Sequence, residues 1–131
     1  MRKKVVIDSP VTVGNAFRDS LGELDHEEAW CLFLTSVNTV ICTDMLAKGT
    51  LSEVSIDCRT VMRQCLLNNA ARVILVHNRP SGDPMPSKND INFTSRLRFA
   101  CDMIDIKLLD HIIITKDSFF SFERQKKCKF E

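Results

Sequence analysis

The sequence predicts an α/β domain in which helices are layered on a mixed β-sheet. Two continuous apolar runs of strand length, "RVILVH" and "IKLLDHIIIT", are typical of strands buried on both faces. Each run follows a segment with apolar residues at helical spacing, and a segment with a two-strand pattern precedes both. With 131 residues, the chain has the length of one domain and can bury roughly two thirds of its unfolded surface.

The N-terminal half predicts a helix, a pair of strands and a second helix. Apolar residues recur every three or four positions from Val11 to Leu24, which predicts the first helix. The stretch "AWCLFLTSVNTVICTDML" is rich in aromatic and β-branched residues and predicts two strands joined near residues 36–38. "AKGTLSEVSID" predicts a glycine turn and a short extended piece. "CRTVMRQCLLNNA" is amphipathic, and either Asn68 or Asn69 can end this helix.

The C-terminal half predicts a strand, a loop, a helix and two further strands. Three prolines and a glycine exclude regular structure in the loop after "RVILVH". Ser87 is the predicted N-cap of the helix "KNDINFTSRLRFACDMI". The expected buried stripe of that helix comprises Ile91, Leu97, Ala100, Cys101 and Ile104. "SFFSF" predicts a short strand after the turn at residues 116–118. The whole chain, 1–131, is expected to form a single domain with a helical segment at 1–25, a core at 26–122 and a solvated basic tail at 123–131.

Composition and charge exclude several classes of protein. Hydrophobic residues make up 44% and charged residues 27%, which is typical of a globular domain. The net charge of +1 gives no general attraction for nucleic acid or anionic membranes. No apolar run reaches the roughly 18 residues that a membrane span needs. The six cysteines lack CxxC spacing and follow no signal-peptide pattern, so we expect free thiols and a cytoplasmic location.

One histidine and two polar residues form the most distinctive pattern of the chain. His77 ends a buried strand, while Ser87 and Asp90 stand at the start of the following helix. A catalytic zinc ion takes three protein ligands and keeps one position open for water, and only His77 and Asp90 offer donors here. The same Ser87 and Asp90 fit a capping box, in which they satisfy backbone N–H groups of the helix. Both interpretations stay open from the residues alone.

The stretch "NNAARVILVHNRPSGDPMPSKNDINFTSRLRFACDMIDIKLLDHIIIT" resembles the RadC family of JAB/MPN domains, which carry the JAMM motif. The shared features are H-N-x-P-S-G, P-S-x-x-D, a helix with T-x-x-L, and a strand with L-D-H-I-I-I. "EEAWCLFLTSVNTVI" is similar to the first hairpin of the family, and the resemblance covers residues 27–122. It implies a three-layer, mixed-sheet JAB/MPN domain of the cytidine-deaminase-like type.

The resemblance also implies a zinc hydrolase site with assigned roles. His77 and Asp90 match two metal ligands, and Ser87 matches the serine that supports the oxyanion of the tetrahedral intermediate. Glu27 matches the general base that acts on metal-bound water. Glu28 is the alternative, because a slip of one residue exchanges the two faces of a strand.

Arg79 departs from the family pattern, since it stands where the second histidine of H-x-H is expected. A guanidinium has no lone pair for a metal and stays protonated, so we predict weak or absent zinc binding. Our hypothesis is that Arg79 replaces the cation and pairs with Asp90 and with Glu27. His26 and His111 are expected to be structural rather than ligands.

Three functions compete on this basis. The first is a zinc metallopeptidase or isopeptidase-like hydrolase with impaired catalysis, and the second is an inactive domain that binds an unknown peptide or protein partner. The third, a nucleic-acid-binding module, lacks a basic face and paired surface aromatics. The DNA-repair label of the family does not follow from these residues. The departure at Arg79 favours reduced or lost catalysis.

Overall fold

Helices and strands alternate in the computed structural model much as the sequence predicts, and the structure describes residues 4–49 and 56–131. The helices are α1 (Pro10–Leu21), α2 (Cys58–Leu67) and α3 (Lys88–Met103). The strands are β1 (Glu28–Leu34), β2 (Val40–Lys48), β3 (Arg72–Asn78), β4 (Lys107–Ile114), β5 (Phe119–Ser121) and β6 (Lys126–Cys128). Most of the predicted glycine turn and extended piece, at residues 50–55, lies outside the described residues.

The strands form one mixed sheet in the order β2-β1-β3-β4-β5-β6. β3 and β4 are parallel and joined by α3, whereas the other neighbouring pairs are antiparallel. A parallel pair needs a crossover connection, which explains why a helix separates these two strands. The mixed α/β fold class is confirmed.

Two apolar clusters cover the two faces of the sheet and define three layers. On one face, Val13 and Leu21 of α1 pack with Ile74 and Ile112. On the other face, α2 and α3 contribute the residues Val61, Cys65, Leu97 and Cys101, which pack against Cys31, Phe33, Val73 and Leu75. Because alternate residues of β3 enter opposite clusters, its sequence is apolar throughout.

Local signals set the ends of the helices. Pro10 occupies the first position of α1, where a missing N–H costs nothing. The side chain of Asp57 accepts a hydrogen bond of 2.9 Å from the Arg59 N–H at the start of α2, and Asn68 caps its end as predicted. α1 ends at Leu21, three residues earlier than expected, and the Gly22 N–H donates to the Arg18 carbonyl over 2.8 Å.

The buried stripe of α3 differs from the prediction. Leu97 and Cys101 are buried, but the third buried residue is Thr94, while Ile91 and Ile104 are exposed. The helix is turned toward Thr94 because the hydroxyl of this residue hydrogen bonds to a buried histidine of β4. Hydrophobicity alone carries no signal for such a contact.

The expected basic tail, residues 123–131, is mostly exposed but includes a short strand. Residues Lys126–Cys128 form the edge strand β6, which pairs with β5, and Cys128 is buried. Both lysines of β6 are exposed, and Cys128 is its one buried residue.

The cysteines are free, as predicted, and four of the six are buried. Burial raises the pKa of the Cys65 thiol to about 12 and that of Cys101 to about 11. These thiols therefore behave as small apolar groups of the core. Among the described residues, no helix has the length and apolar character needed to cross a bilayer.

Candidate functional site

The candidate site lies where β3 ends, between the start of β1 and the first turn of α3. The pairing of β1 with β3 sets Ala29 opposite His77. Extending this antiparallel register by two residues sets Glu27 opposite Arg79, on the same face of the sheet as His77. Asp90, in the first turn of α3, completes the group.

The strand alternation also separates Glu27 from Glu28. The carboxylate of Glu28 faces the α1 side, where its Oε2 lies 2.7 Å from His26 Nε2 and its Oε1 accepts from Trp30 Nε1 over 3.1 Å. Burial raises the pKa of Glu28, but the hydrogen bonds from His26 and Trp30 outweigh this effect, so the net shift is downward. Glu27, which is buried, is the glutamate that faces Arg79.

The Asn78 side chain fixes the backbone that carries these glutamates. Its Oδ1 accepts from the Glu28 N–H over 2.7 Å, and its Nδ2 donates to the His26 carbonyl over 2.8 Å. His26 itself bonds to the carboxylates of Asp25 and Glu28, away from the site. The expectation that His26 is structural agrees with these contacts.

The guanidinium of Arg79 lies at the centre of the site. Its Nη2 donates to Asp90 Oδ2 and lies 3.4 Å from His77 Nε2. Its Nε lies 4.0 Å from Glu27 Oε1, and its Nη1 donates to the Met85 carbonyl over 3.3 Å. The structure therefore brings Arg79 together with both carboxylates, as our hypothesis states, and adds contacts with His77 and the loop.

A chain of hydrogen bonds fixes the orientation and the tautomer of His77. The Thr94 hydroxyl donates its one proton to the Asp90 carbonyl over 2.7 Å, so it accepts from His111 Nδ1, which lies 2.6 Å away. His111 Nε2 is then an acceptor, and His77 Nδ1 donates to it over 2.8 Å. The lone pair of His77 Nε2 consequently faces the Arg79 guanidinium.

His77 and His111, the two histidines of this hydrogen-bond network, are neutral near pH 7. Burial lowers the pKa of His77 to about 4; nearby Asp90 opposes this effect and Arg79 adds to it. Burial likewise lowers the pKa of His111 well below its usual range. The His111 ring also stacks on Phe122, with 4.6 Å between the ring centroids. His111 is thus a support for His77, in agreement with its expected structural role.

Ser87 and Asp90 form the capping box that the sequence allows. The Asp90 N–H donates to Ser87 Oγ over 3.1 Å, and the Ser87 N–H donates to Asp90 Oδ2 over 2.7 Å. Burial raises the pKa of Asp90, but the Ser87 N–H, His77 and Arg79 together bring it below its usual value. Asp90 is therefore ionised, and it serves both the helix start and the pair with Arg79.

The residues present do not fit a catalytic zinc ion. His77 Nε2 and Asp90 Oδ1 are 3.7 Å apart, close to the spacing of about 3.3 Å that two tetrahedral zinc ligands have. The third position, however, holds a guanidinium that cannot coordinate a metal. Within residues 4–49 and 56–131, no group of three histidine, cysteine, aspartate or glutamate side chains could hold a metal ion.

Thr94, Asn78 and the Met85 carbonyl belong to the site but had no role in the prediction, and His111 was expected only to be structural. The T-x-x-L and L-D-H patterns of the resemblance contain Thr94 and His111, and these patterns were the only available signal for them. The contact of Thr94 with His111 joins residues that are 17 positions apart in the sequence. Spacing along the chain could not reveal that arrangement.

A mixed sheet with a histidine at the end of its central strand and an acidic helix start is consistent with a domain of the JAB class. The family model for the RadC-like JAB domain matches residues 7–128, so the chain belongs to the RadC-like JAB domain family. The chain is 43% identical over 102 residues to a UPF0758 protein of Flavobacterium johnsoniae, covering 78% of this chain and 44% of that protein.

Two further relatives carry the same description. A UPF0758 protein of Cupriavidus taiwanensis is 43% identical over 107 residues, covering 82% of this chain and 47% of the relative. A UPF0758 protein of Actinobacillus pleuropneumoniae is 32% identical over 126 residues, covering 96% of this chain and 57% of the relative. The chain thus spans about half the length of the curated relatives it matches.

Proposed function

We propose that this protein is a RadC-like JAB domain whose zinc-hydrolase activity is lost or strongly reduced, and that it acts by binding a peptide or protein partner. The observation that supports the proposal is the placement of the Arg79 guanidinium among Asp90, Glu27 and His77. In the family, a metal cation is expected at the place that this guanidinium occupies.

Charge balance is the physical basis of the proposal. Two carboxylates with little exposure, those of Glu27 and Asp90, face the same small space. Buried carboxylates without a cation are costly, and Arg79 supplies a permanent positive charge with donors shaped for carboxylates. A zinc ion could enter only if the guanidinium left and its hydrogen bond with Asp90 broke. Zinc affinity should therefore be far below that of a site with three ligands.

The catalytic roles implied for Glu27 and Ser87 are weakened by the same contacts. A general base of this type must lie within hydrogen-bond reach of a water whose pKa is lowered. The Glu27 carboxylate instead has the guanidinium 4.0 Å away. Ser87 Oγ accepts from the Asp90 N–H and so serves as a helix cap. We propose that both residues now have structural roles.

A second candidate is a zinc hydrolase in which Arg79 moves aside. The tautomer of His77 favours it, because the Nε2 lone pair already points into the site and Asp90 Oδ1 lies 3.7 Å from it. Two protein ligands would then hold the metal, and one more would have to come from a substrate or a partner. Peptide, isopeptide and other amide bonds all suit a site of this type.

Zinc content distinguishes the two candidates. The untagged protein is incubated with zinc, dialysed and measured by elemental analysis, beside the variants R79H and R63H. We expect little zinc in the wild-type protein and near-stoichiometric zinc in R79H, because R79H restores the third ligand. R63H is the matched control, since it adds a histidine to the exposed face of α2. Near-stoichiometric zinc in the wild-type protein would overturn the proposal.

A further inference from the structure

We propose that the outward face of α2 and α3 is a docking surface for an acidic amphipathic helix of a partner protein. We name this surface the α2–α3 face and define it by Arg63, Leu66, Leu67, Arg96, Phe99 and Met103. The inference rests on the proposed function in its general claim that this domain binds a partner. The docking surface contains none of the residues around Arg79.

On α2, the outward residues form a stripe opposite the core. Val61 and Cys65 point into the sheet-facing cluster and are fully buried. Arg59, Arg63 and Leu66 follow one another at spacings of four and three, so they share the opposite side of the helix. Arginines therefore come first along α2, and apolar residues come at its C-terminal end.

The same order recurs on α3. Leu97 and Cys101 are buried, whereas Arg96, Phe99 and Met103 recur at spacings of three and four on the other side. From Arg96 to Met103 the stripe is about 10 Å long, as is the stripe on α2. Each helix thus presents one or two arginines followed by exposed apolar side chains.

The two stripes lie side by side and point in the same direction. α2 packs against α3 in the layer above the sheet. The Lys107 N–H donates to the Ala71 carbonyl over 3.1 Å, and these residues follow the ends of α3 and α2 by four positions each. Both helices therefore end at the same edge of the molecule. This edge is opposite to the one that holds Arg79, because β3 begins there.

Among the residues that the structure describes, none buries the apolar part of this face. Leu66, Leu67, Phe99 and Met103 are 64% to 72% exposed. Single exposed apolar residues are common, but four of this size at adjacent helix ends are typical of interaction surfaces. Phe99 and Met103, one turn apart, form an anchor pair of the kind that a helix groove uses.

Charge determines the chemistry of the occupant. The exposed charges of α2 and α3 are the cations Arg59, Arg63, Lys88, Arg96 and Arg98 and the anion Asp102. The whole chain carries only +1, so this layer concentrates positive charge and corrects the expectation that the chain lacks a basic face. A partner segment with carboxylates at one end and apolar residues at the other matches the order of the stripes. An amphipathic helix supplies that arrangement over two or three turns.

The two other possible occupants fit less well. A second copy of the chain would bring its own arginines against those of the first, since both faces have the same sign. An anionic bilayer would attract the arginines, but Asp102 and Asp105 flank Met103 and would repel lipid headgroups where apolar insertion is needed. An acidic helix can set its apolar part there and its carboxylates on the arginines.

The test measures binding of fluorescent 18-residue helical peptides by anisotropy at physiological salt. The probes are a set of acidic amphipathic helices with different apolar spacings, and each has a counterpart in which lysine replaces glutamate. We expect at least one acidic peptide to bind at least tenfold more tightly than its lysine counterpart. F99S and R96E should each weaken that binding at least fivefold. The matched controls M45S, which changes an exposed methionine of β2, and K127E, which changes an exposed lysine of β6, should leave it unchanged.

Several results would overturn the proposal. These are no binding by any acidic peptide up to about 1 mM, equal binding by the lysine peptides, or binding that F99S leaves intact. If sedimentation shows that the wild-type protein is a dimer and that F99S is a monomer, the face binds a second copy of the chain. If the protein binds phosphatidylglycerol vesicles but no peptide, and F99S abolishes the vesicle binding, the face binds a membrane. We expect these variants to leave the zinc content unchanged, so this proposal and the proposal for the Arg79 site can fail separately.

Discussion

Replacing Arg79 with methionine keeps most of the side-chain volume and removes the positive charge from the site. The side chains concerned are only 19% exposed for Arg79, 15% for Asp90 and 9% for Glu27, so water screens them weakly. A charge-assisted hydrogen bond contributes about 1.5–3 kcal/mol, and breaking a fully buried pair costs about 3–5 kcal/mol. Because Asp90 keeps its bond from the Ser87 N–H, we expect R79M to lower the free energy of unfolding by about 2–3 kcal/mol.

Urea unfolding followed by circular dichroism measures this loss. For a domain of this size, a loss of that magnitude lowers the midpoint by about 1–2 M urea with an unchanged slope. The matched control R63M removes an exposed arginine of α2 and should change the free energy of unfolding by less than about 0.5 kcal/mol. A change in R79M as small as that of R63M would refute the reasoning that the charge of Arg79 stabilises the carboxylates of Asp90 and Glu27.

A double-mutant cycle isolates the pair of Arg79 with Asp90. Replacing Asp90 with asparagine removes the negative charge and keeps a side chain that can accept the Ser87 N–H. We expect R79M/D90N to lose about 1.5–3 kcal/mol less than the sum of the single losses. Additive losses would show that the contact of Arg79 with Asp90 contributes nothing to stability.

Two predictions concern the buried histidines. The unfolded chain binds a proton at His77 near pH 6.5 and the folded chain near pH 4, so stability is lost as the pH falls through this range. From pH 7.5 to pH 5 the loss due to His77 is about 2 kcal/mol. Because burial also lowers the pKa of His111, H77Q keeps the loss due to His111, and urea unfolding should show a loss in H77Q that is about 2 kcal/mol smaller than in the wild-type protein and in H26Q. In T94V, the His111 Nδ1 donor loses its acceptor, and we expect a loss of about 1–3 kcal/mol that T94S restores in large part. Equal stability of T94V and T94S would contradict the tautomer assignment.

The sequence predicts the order of helices and strands because local signals agree with the tertiary structure. Apolar runs define β3 and β4, and caps at Asp57 and Ser87 define the starts of α2 and α3. The main errors are local. Hydrophobicity gave Ile91 a place in the core, although α3 turns its Thr94 side inward.

The residues of the site were predictable only in part. The features that the sequence could not predict depend on the register between strands. The choice between Glu27 and Glu28 depends on which face of β1 points to His77, and this follows from the pairing of Ala29 with His77. Pairing of that kind is a long-range property that the sequence of one strand does not contain. The support of His77 by His111 is hidden for the same reason, because β3 and β4 meet only after α3 has crossed over.

The hydroxyl of Thr94 has a consequence for how this domain could change over evolutionary time. The direction of the His77 lone pair depends on Thr94 and His111, and neither residue requires a metal ion to stay in place. The support of His77 is therefore independent of which residue occupies position 79. Under the proposed function, one amino-acid change at residue 79 would separate a metal-binding form of the domain from a metal-free one, with the same support around His77 in both.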